Sequence, residues 1–512
     1  MAHFPVRFRG HNKTSIVTVS TDLGLVAVRF KLFLLTALTL SVLVIEQAWP
    51  ADRWAELDSC ELSAAGGRLS VQARCGQFSV PENPDAPQGR QIELAYAVLP
   101  ARSRPQPDPV FFLAGGPGQS ARDAAALMRH ALREVNRDRD LIFLDQRGAG
   151  ASNPLDCDFE QVSDWLELDY EAINQTLIDC HEDWDADVRF YTTTDAARDL
   201  DALRIRYGFD RINLIGGSYG TRLAQVYLRN YPDQVRAVVL DGVVPTRLRL
   251  GSEHALMLDE TLDRLFDACL DDDACRQAFP GLRTAFDRLV SHYRDSTQAI
   301  TIVEPRSGDK MDLDFNLDLL ASGLRFLAYS PQTQMMIPKL IHEAATTGDP
   351  SRLASQALIV TEQIDESIAV GLNFAVGCAE DWPSWPRELD AAHTLMGNSM
   401  RDFYDQVCDW WPAGETPENF HQPFDPGAPV LILSGEHDPV TPPQYGDEAA
   451  EQYANSLHLV GRGLGHITLG QPCFNRLVSR FIDGLDFEAL DTECLDNLGQ
   501  EPFFLNLLGP AP

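Results

Sequence analysis

Positive charge is scarce in this chain of 512 residues: 42 lysines and arginines stand against 75 aspartates and glutamates, a formal balance of −33. A surface of that sign repels phosphate backbones and anionic headgroups, which argues against nucleic acid and acidic membrane surfaces as partners. Most of that charge reads as a solvated surface that keeps a protein soluble. It also attracts cations, among them peptides with a free amino terminus. No C-x-x-C occurs, so a zinc ribbon or a thioredoxin-type site has no footing. Internal repeats and low-complexity tracts are absent as well. The apolar run Leu32–Ile45 has 14 residues, short for a membrane span. With Arg29 and Lys31 ahead of it, residues 29–45 read as a signal peptide. The stretch AWPAD after it lacks a clean A-x-A cleavage site, so an uncleaved anchor is the alternative. Residues 1–28 make a long polar lead, and a true start near Val28 is expected.

What is present is apolar residue in quantity and cysteine in an even number. At 44% hydrophobic, the chain can bury a sizeable core as one large domain with an insertion, or as two domains. The ten cysteines all follow the apolar run and fall into sequence-local couples. Neighbour pairing is the expectation: Cys60 with Cys75, Cys157 with Cys180, Cys269 with Cys275, Cys378 with Cys408, and Cys473 with Cys494. Spacing alone leaves that connectivity open. Disulfides belong to an oxidising compartment, so a periplasmic or extracellular location is expected.

Residues 211–232, RINLIGGSYGTRLAQVYLRNYP, form the centre of the pattern. Ile212 to Ile215 read as a buried strand, 216–220 as a tight turn, and Thr221 to Asn230 as a helix stopped by Pro232. A serine in G-x-S-x-G between strand and helix has the form of a nucleophile elbow, whereas the motif by itself is also met in ordinary glycine-rich turns. Gly216 and Gly220 are required if the strand and helix cross closely there. Around this centre run the apolar segments QIELAYAVL (91–99), VFFL (110–113), LIFLD (141–145), AVVLDG (237–242), VLIL (430–433) and LHLV (457–460). Helical segments near 124–135, 194–207 and 474–482 alternate with them. Such alternation predicts an α/β fold, a mostly parallel central sheet with helices on both faces. It stops at about 246. There Leu258, Leu262, Leu265, Phe266 and Cys269 share one helical face, as do Leu317, Leu320, Leu324 and Leu327. The expected division is a signal peptide or anchor in 1–50, a first core part in 51–245, a mainly helical cap in 246–425, and a second core part with a C-terminal tail in 426–512. Residues 52–80 read as a short polar extension.

An elbow serine needs a base, and in hydrolases of this build the acid and the histidine follow it on loops after late strands. Asp438 follows VLIL and His466 follows LHLV, so Ser218, His466 and Asp438 can meet at one edge of a parallel sheet. Asp241, at the end of AVVLD, is the rival acid. His437 beside Asp438 points the other way if the segment is extended. Two backbone N–H groups must face the developing oxyanion. Tyr219 supplies one and the glycine turn after VFFL, at Gly115 or Gly116, supplies the other, with Pro117 holding the turn.

AGGPG (114–118), DQRGAGAS (145–152), GGSYGT (216–221), LDGVVP (240–245), GEHDPVTP and GLGH together resemble the proline iminopeptidase and tripeptidyl aminopeptidase family of α/β-hydrolases. The resemblance covers roughly residues 90–245 and 425–485. It implies removal of amino-terminal residues, proline or short peptides, through an acyl-enzyme on the serine, with no cofactor and no metal. Disulfide-bearing secreted members look nearest to the tripeptidyl branch. Short peptides are then the partners, nucleic acid is not, and no membrane partner is expected unless the N-terminal segment stays uncleaved. Nothing in the pattern speaks to oligomeric state. Ala114 departs from the histidine usual before the GGPG turn, which bears on substrate preference. The family holds the substrate ammonium with acidic cap residues, and Glu380 or Asp381 is the expected anchor here. Trp382, Trp385, Trp410 and Trp411 either line the cap pocket or pack its core, and LDDDAC (270–275) reads as a solvated acidic loop. An esterase with the same triad, or a non-catalytic binding protein on this fold, are the alternatives.

Overall fold

The structure is a computed structural model, and it describes residues 53–64, 67, 69–157, 170–304, 307–365, 368–506 and 508–510. The expected signal segment and the start near Val28 lie outside the described residues.

Four short strands carry the centre of the molecule: β4 (Val110–Leu113), β5 (Leu141–Leu144), β6 (Ile212–Gly217) and β10 (Val430–Gly435) are buried at every position. Continuous rather than alternating apolar sequence is what a strand covered on both faces requires. Each fully buried Val, Leu, Ile or Phe in them contributes roughly 1.5–3 kcal/mol. The other strands are β1 (Asp58–Ser63), β2 (Ser70–Pro81), β3 (Gln91–Leu99), β7 (Val235–Asp241) and β11 (Ser456–Gly461). They form one nine-stranded sheet in the order β1-β2-β3-β5-β4-β6-β7-β10-β11. Strands β1 to β3 run antiparallel to their neighbours, and from β5 to β11 every pairing is parallel. The order reverses at β4: the chain goes from β4 to β5 on one side and returns to β6 on the other. A crevice opens at the carboxyl ends of strands where such a reversal occurs. The 114–118 turn and Ser218 stand there, after β4 and β6.

Residues 52–80 are not a simple extension. Strands β1 and β2 make a hairpin that continues the sheet, closed by Cys60–Cys75. Few positions of β2 are buried, Ala73 on one side of the sheet and Phe78 and Val80 on the other, so the run reads as polar.

Between β7 and β10 lie helices His254–Asp271, Leu282–Arg294, Leu317–Leu327, Ile337–Thr347 and Ser351–Asp365. Much of their packing surrounds a cluster of their own that includes Leu262, Phe266, Leu320, Leu324 and Ile341. The segment is not helical throughout: β8 (Gln298–Val303) and β9 (Lys310–Phe315) pair as an antiparallel hairpin. Its inner face is Ile300, Ile302, Leu313 and Phe315, a period of two interrupted by charged residues. A second cluster gathers Phe374, Trp385, Tyr404 and Trp411 against Tyr219. All five expected disulfides are formed, and the described residues hold no free cysteine.

Candidate active site

The turn after β6 is a strained elbow. Ser218 has φ 54° and ψ −126°, a backbone region costing about 1–3 kcal/mol for a residue with a side chain. The surroundings hold it there. Its N–H donates to the Asp241 carbonyl at 2.9 Å, and its own carbonyl accepts from the Thr221 N–H at 2.9 Å and the Thr221 hydroxyl at 2.6 Å. A Cβ on Gly216 would collide with the backbone of Gly220, and one on Gly220 with the carbonyls of Leu113 and Ala114, so the close crossing requires both glycines. Helix Tyr219–Asn230 starts immediately behind the serine, and its first amides have no acceptor within the helix. The Tyr219 N–H is one of these. The glycine turn after β4 comes up to the serine on the other side: a Cβ on Gly115 would lie 3.1 Å from Ser218 Cβ. Gly116 and cis-Pro117 line the same cavity as Ser218.

Asp438 and His466 meet directly. The His466 Nδ1–H donates to Asp438 Oδ2 at 2.8 Å, which leaves Nε2 as the free base. The Asp438 carboxylate is fully buried and otherwise saturated: Oδ1 accepts the Val440 and Thr441 N–H groups, and Oδ2 the Thr441 hydroxyl, each at 2.8 Å. Burial pushes this carboxyl up, but His466 and the backbone donors outweigh burial and hold it below the usual aspartate range. Burial pushes His466 down, and the Asp438 and Asp241 charges outweigh that and hold it above the usual histidine value. The His466 N–H donates to the Tyr329 carbonyl at 2.8 Å, and the two rings meet edge to face with centroids 5.3 Å apart.

Asp241 does not touch the imidazole. Its carboxylate accepts the Thr468 N–H, the Thr468 hydroxyl and the Leu469 N–H at 2.9–3.0 Å. This one residue therefore holds the nucleophile turn by its carbonyl and the histidine loop by its side chain. Burial pushes its carboxyl up to about 6. A Cβ on the next residue, Gly242, would lie 3.2 Å from His466 Cε1, so the imidazole sits at the end of β7, beside the strand that carries the serine. His437 faces away, with Nε2 3.2 Å from Gln500 Oε1.

A family model described as the alpha/beta hydrolase fold matches residues 108–278, and one described as TAP-like protein matches residues 394–494. The chain has the alpha/beta hydrolase fold. Among curated proteins, this hydrolase is 24% identical to the serine protease Hip1 of Mycobacterium tuberculosis, over 84% of this chain and 88% of that one. It is 26% identical to the tripeptidyl aminopeptidase of Streptomyces lividans, over 86% and 87%. It is 27% identical to a carboxylesterase B of Mycobacterium tuberculosis, over 86% and 89%. Among solved structures, a proline iminopeptidase of Mycobacterium smegmatis aligns at 18% identity and a TM-score of 0.39, over 81% of this chain and all of that one.

Two expected site residues of the hydrolase are not in the cavity. Glu380 and Asp381 are buried at 3% and 0% exposure. Asp381 takes the Arg222 guanidinium at 2.8 and 3.0 Å and the Leu250 N–H at 3.0 Å. Glu380 takes the Thr193 N–H at 2.6 Å, the Thr193 hydroxyl at 2.8 Å and Arg222 at 3.5 Å. Asp381 is paired with Arg222, Glu380 is held by Thr193, and neither lines the cavity above Ser218. Trp385 and Trp411 pack in the cluster against Tyr219, and neither they nor Trp382 and Trp410 line the cavity. In the acidic loop, Asp272 caps the helix Asp273–Ala278 through the Cys275 N–H.

The cavity above Ser218 has a volume of about 360 Å³ and mostly apolar walls. The residues the sequence did not single out are its charged ones, Asp318 and Arg325. Helix Leu317–Leu327 buries Leu320, Leu324 and Leu327 in its own cluster and turns Asp318, Ala321, Ser322 and Arg325 to the cavity. The leucine stripe was readable; the spacing i, i+3, i+4, i+7 of the opposite face was the signal for the rest.

Proposed function

We propose that this hydrolase is an exported serine aminopeptidase, of proline iminopeptidase or tripeptidyl aminopeptidase type, cleaving short peptides near their free amino terminus. The observations that carry this reading are the 2.8 Å Asp438–His466 bond and an elbow that presents Ser218 to an apolar cavity. His466 Nε2 takes the proton of Ser218 as Oγ attacks the substrate carbonyl. The oxyanion faces the N–H of Tyr219 and that of Gly115 or Gly116, each such donor being worth about 10²–10³ in rate. His466 returns the proton to the leaving amine, and water, activated the same way, releases the acyl group from the serine. Asp438 keeps the imidazole in the right tautomer and stabilises its cation.

The names of the Hip1 and tripeptidyl aminopeptidase relatives support peptide substrates. Residues 246–425 act as the cap, since Phe326, Tyr329, Phe374 and Phe403 form walls of the cavity. Asp318 replaces Glu380 and Asp381 as the ammonium anchor. Its carboxylate lines the cavity and has no cation within ion-pairing distance among the described residues. Burial raises it, as expected of a carboxylate awaiting a counter-charge. Five disulfides support export to an oxidising compartment.

The carboxylesterase relative favours a second reading, an esterase with the same triad. Anilides of alanine, proline and a tripeptide, with free and with blocked amines, should be compared with a nitrophenyl ester. Turnover of free-amine anilides, lost on blocking and lost in Ser218→Ala, is the expected result. Ester turnover with no anilide cleavage would establish the esterase instead.

A further inference from the structure

Arg325 is an unusual cation for so acidic a chain. Among the described residues no carboxylate lies within ion-pairing distance of it, while most of the arginines around the sheet and the cap have such a partner. Its Nη2 instead donates to His254 Nδ1 at 3.0 Å. His254 lines the cavity too. Burial, and then the Arg325 charge, hold that imidazole well below its usual value, so it stays a neutral acceptor and orients the guanidinium without cancelling its charge. A planar guanidinium left with free N–H groups in a largely apolar cavity is suited to a carboxylate.

Its place in the cavity says which part of the substrate that carboxylate belongs to. Arg325 is one helical turn before Tyr329, whose carbonyl and ring hold His466. The histidine delivers its proton to the leaving group, so the Arg325 end of the cavity is the leaving-group end. Asp318 lies seven residues earlier on the same face, about 10 Å away along the axis at about 1.5 Å per residue. About 10 Å is the reach of roughly three extended residues. One helix face thus offers an anion and a cation at the spacing of the two ends of a short peptide.

We propose that Arg325, oriented by His254, is a carboxylate subsite on the leaving-group side of the cavity, and that the hydrolase prefers short peptides carrying a carboxylate there. The proposal rests on the peptidase reading for its biological sense, but its test does not require turnover. The Ser218→Ala protein is titrated by calorimetry with tetra-alanine, tetra-alanine amide, and the amide of Ala-Ala-Ala-Asp. Tetra-alanine should bind about tenfold or more tighter than its amide, the range of a charge-assisted hydrogen bond. That ratio should collapse toward one when Arg325→Gln is added, and be partly kept with Arg325→Lys. Recovery of affinity in the aspartyl amide assigns the subsite to an acidic side chain; no recovery assigns it to the C-terminal carboxylate. Equal binding of all three peptides to the Ser218→Ala protein overturns the proposal, whatever the Arg325 variants do. Cleavage of tetra-alanine by the unsubstituted enzyme is followed separately, so loss of the peptidase reading and loss of the subsite give different results.

Discussion

Replacing Asp438 by asparagine should remove nearly all activity, and the structure says how. Oδ1 of Asp438 accepts two backbone N–H groups, from Val440 and Thr441, while Oδ2 accepts His466 Nδ1–H and the Thr441 hydroxyl. The two amides admit only an oxygen at the Oδ1 position. The new side-chain NH₂ is therefore forced to the Oδ2 position, with a hydrogen aimed at His466 Nδ1. That nitrogen must become the acceptor, so the proton moves to Nε2, and the proposed triad loses its base for Ser218. The loss expected for a triad in the wrong tautomer is about 10⁴ in kcat, or about 5 kcal/mol of barrier. Asp241→Asn is the comparison. Its carboxylate makes no hydrogen bond to His466, which it reaches by its charge and through Thr468 and Leu469, and asparagine leaves one of those donors opposed by an N–H. One or two charge-assisted hydrogen bonds are at stake, so the loss should stay between about tenfold and a hundredfold. Initial rates with a nitrophenyl ester, on both variants with matched circular dichroism, read the difference. Equal losses in the two variants, or an Asp438→Asn enzyme within tenfold of the original, would refute the reasoning.

The raised His466 should place the acid limb of the kcat/KM profile above pH 6.5, because activity requires the neutral ring; a limb midpoint well below that value counts against the Asp438 pairing. Glu380, raised by burial to about 7, makes the fold lose stability as pH rises from about 4.5 through 7, since the folded state holds a proton that the unfolded chain has released. Urea midpoints at pH 5 and pH 7.5 should therefore lie closer together in Glu380→Gln than in the parent. Asp381→Asn removes the nearer carboxylate from the buried Arg222, leaving Glu380 at 3.5 Å, and should destabilise by up to about 3–5 kcal/mol in the same assay. Thiol titration of the denatured, unreduced protein should find no free cysteine among Cys60, Cys75, Cys157, Cys180, Cys269, Cys275, Cys378, Cys408, Cys473 and Cys494.

The parts of this fold that sequence reasoning reached are those with one strong local cause. Strands such as VFFL and VLIL are apolar end to end because helices cover both faces, and the reading of their bounds agrees with the structure within two residues. The β1–β2 and β8–β9 hairpins were missed because few of their positions are buried: β2 buries Ala73 on one side and Phe78 and Val80 on the other, while Lys310, Asp312 and Asp314 alternate with the buried and partly buried positions of β9. The site divides the same way. Glycine at 216 and 220 is a local steric demand, visible in five residues. Whether Glu380 and Asp381 face substrate depends on Arg222, 159 residues before Asp381, and a charge in a sequence does not show its partner. Asp318 and Arg325 were hidden for the opposite reason: they stand among leucines that pack, and what distinguishes them is the lack of an ion-pair partner among the described residues.

The Tyr329 carbonyl that receives the His466 N–H belongs to the same stretch of chain as Asp318 and Arg325. With Asp318 and Arg325 in their proposed roles, recognition and proton transfer are mechanically in series. A substrate that pulls the 317–329 stretch out of place also loosens the support of the base, so a poor fit is registered as slow chemistry and not merely as weak binding. Substitutions that shift this stretch should then lower kcat along with raising KM, even when the triad itself is untouched.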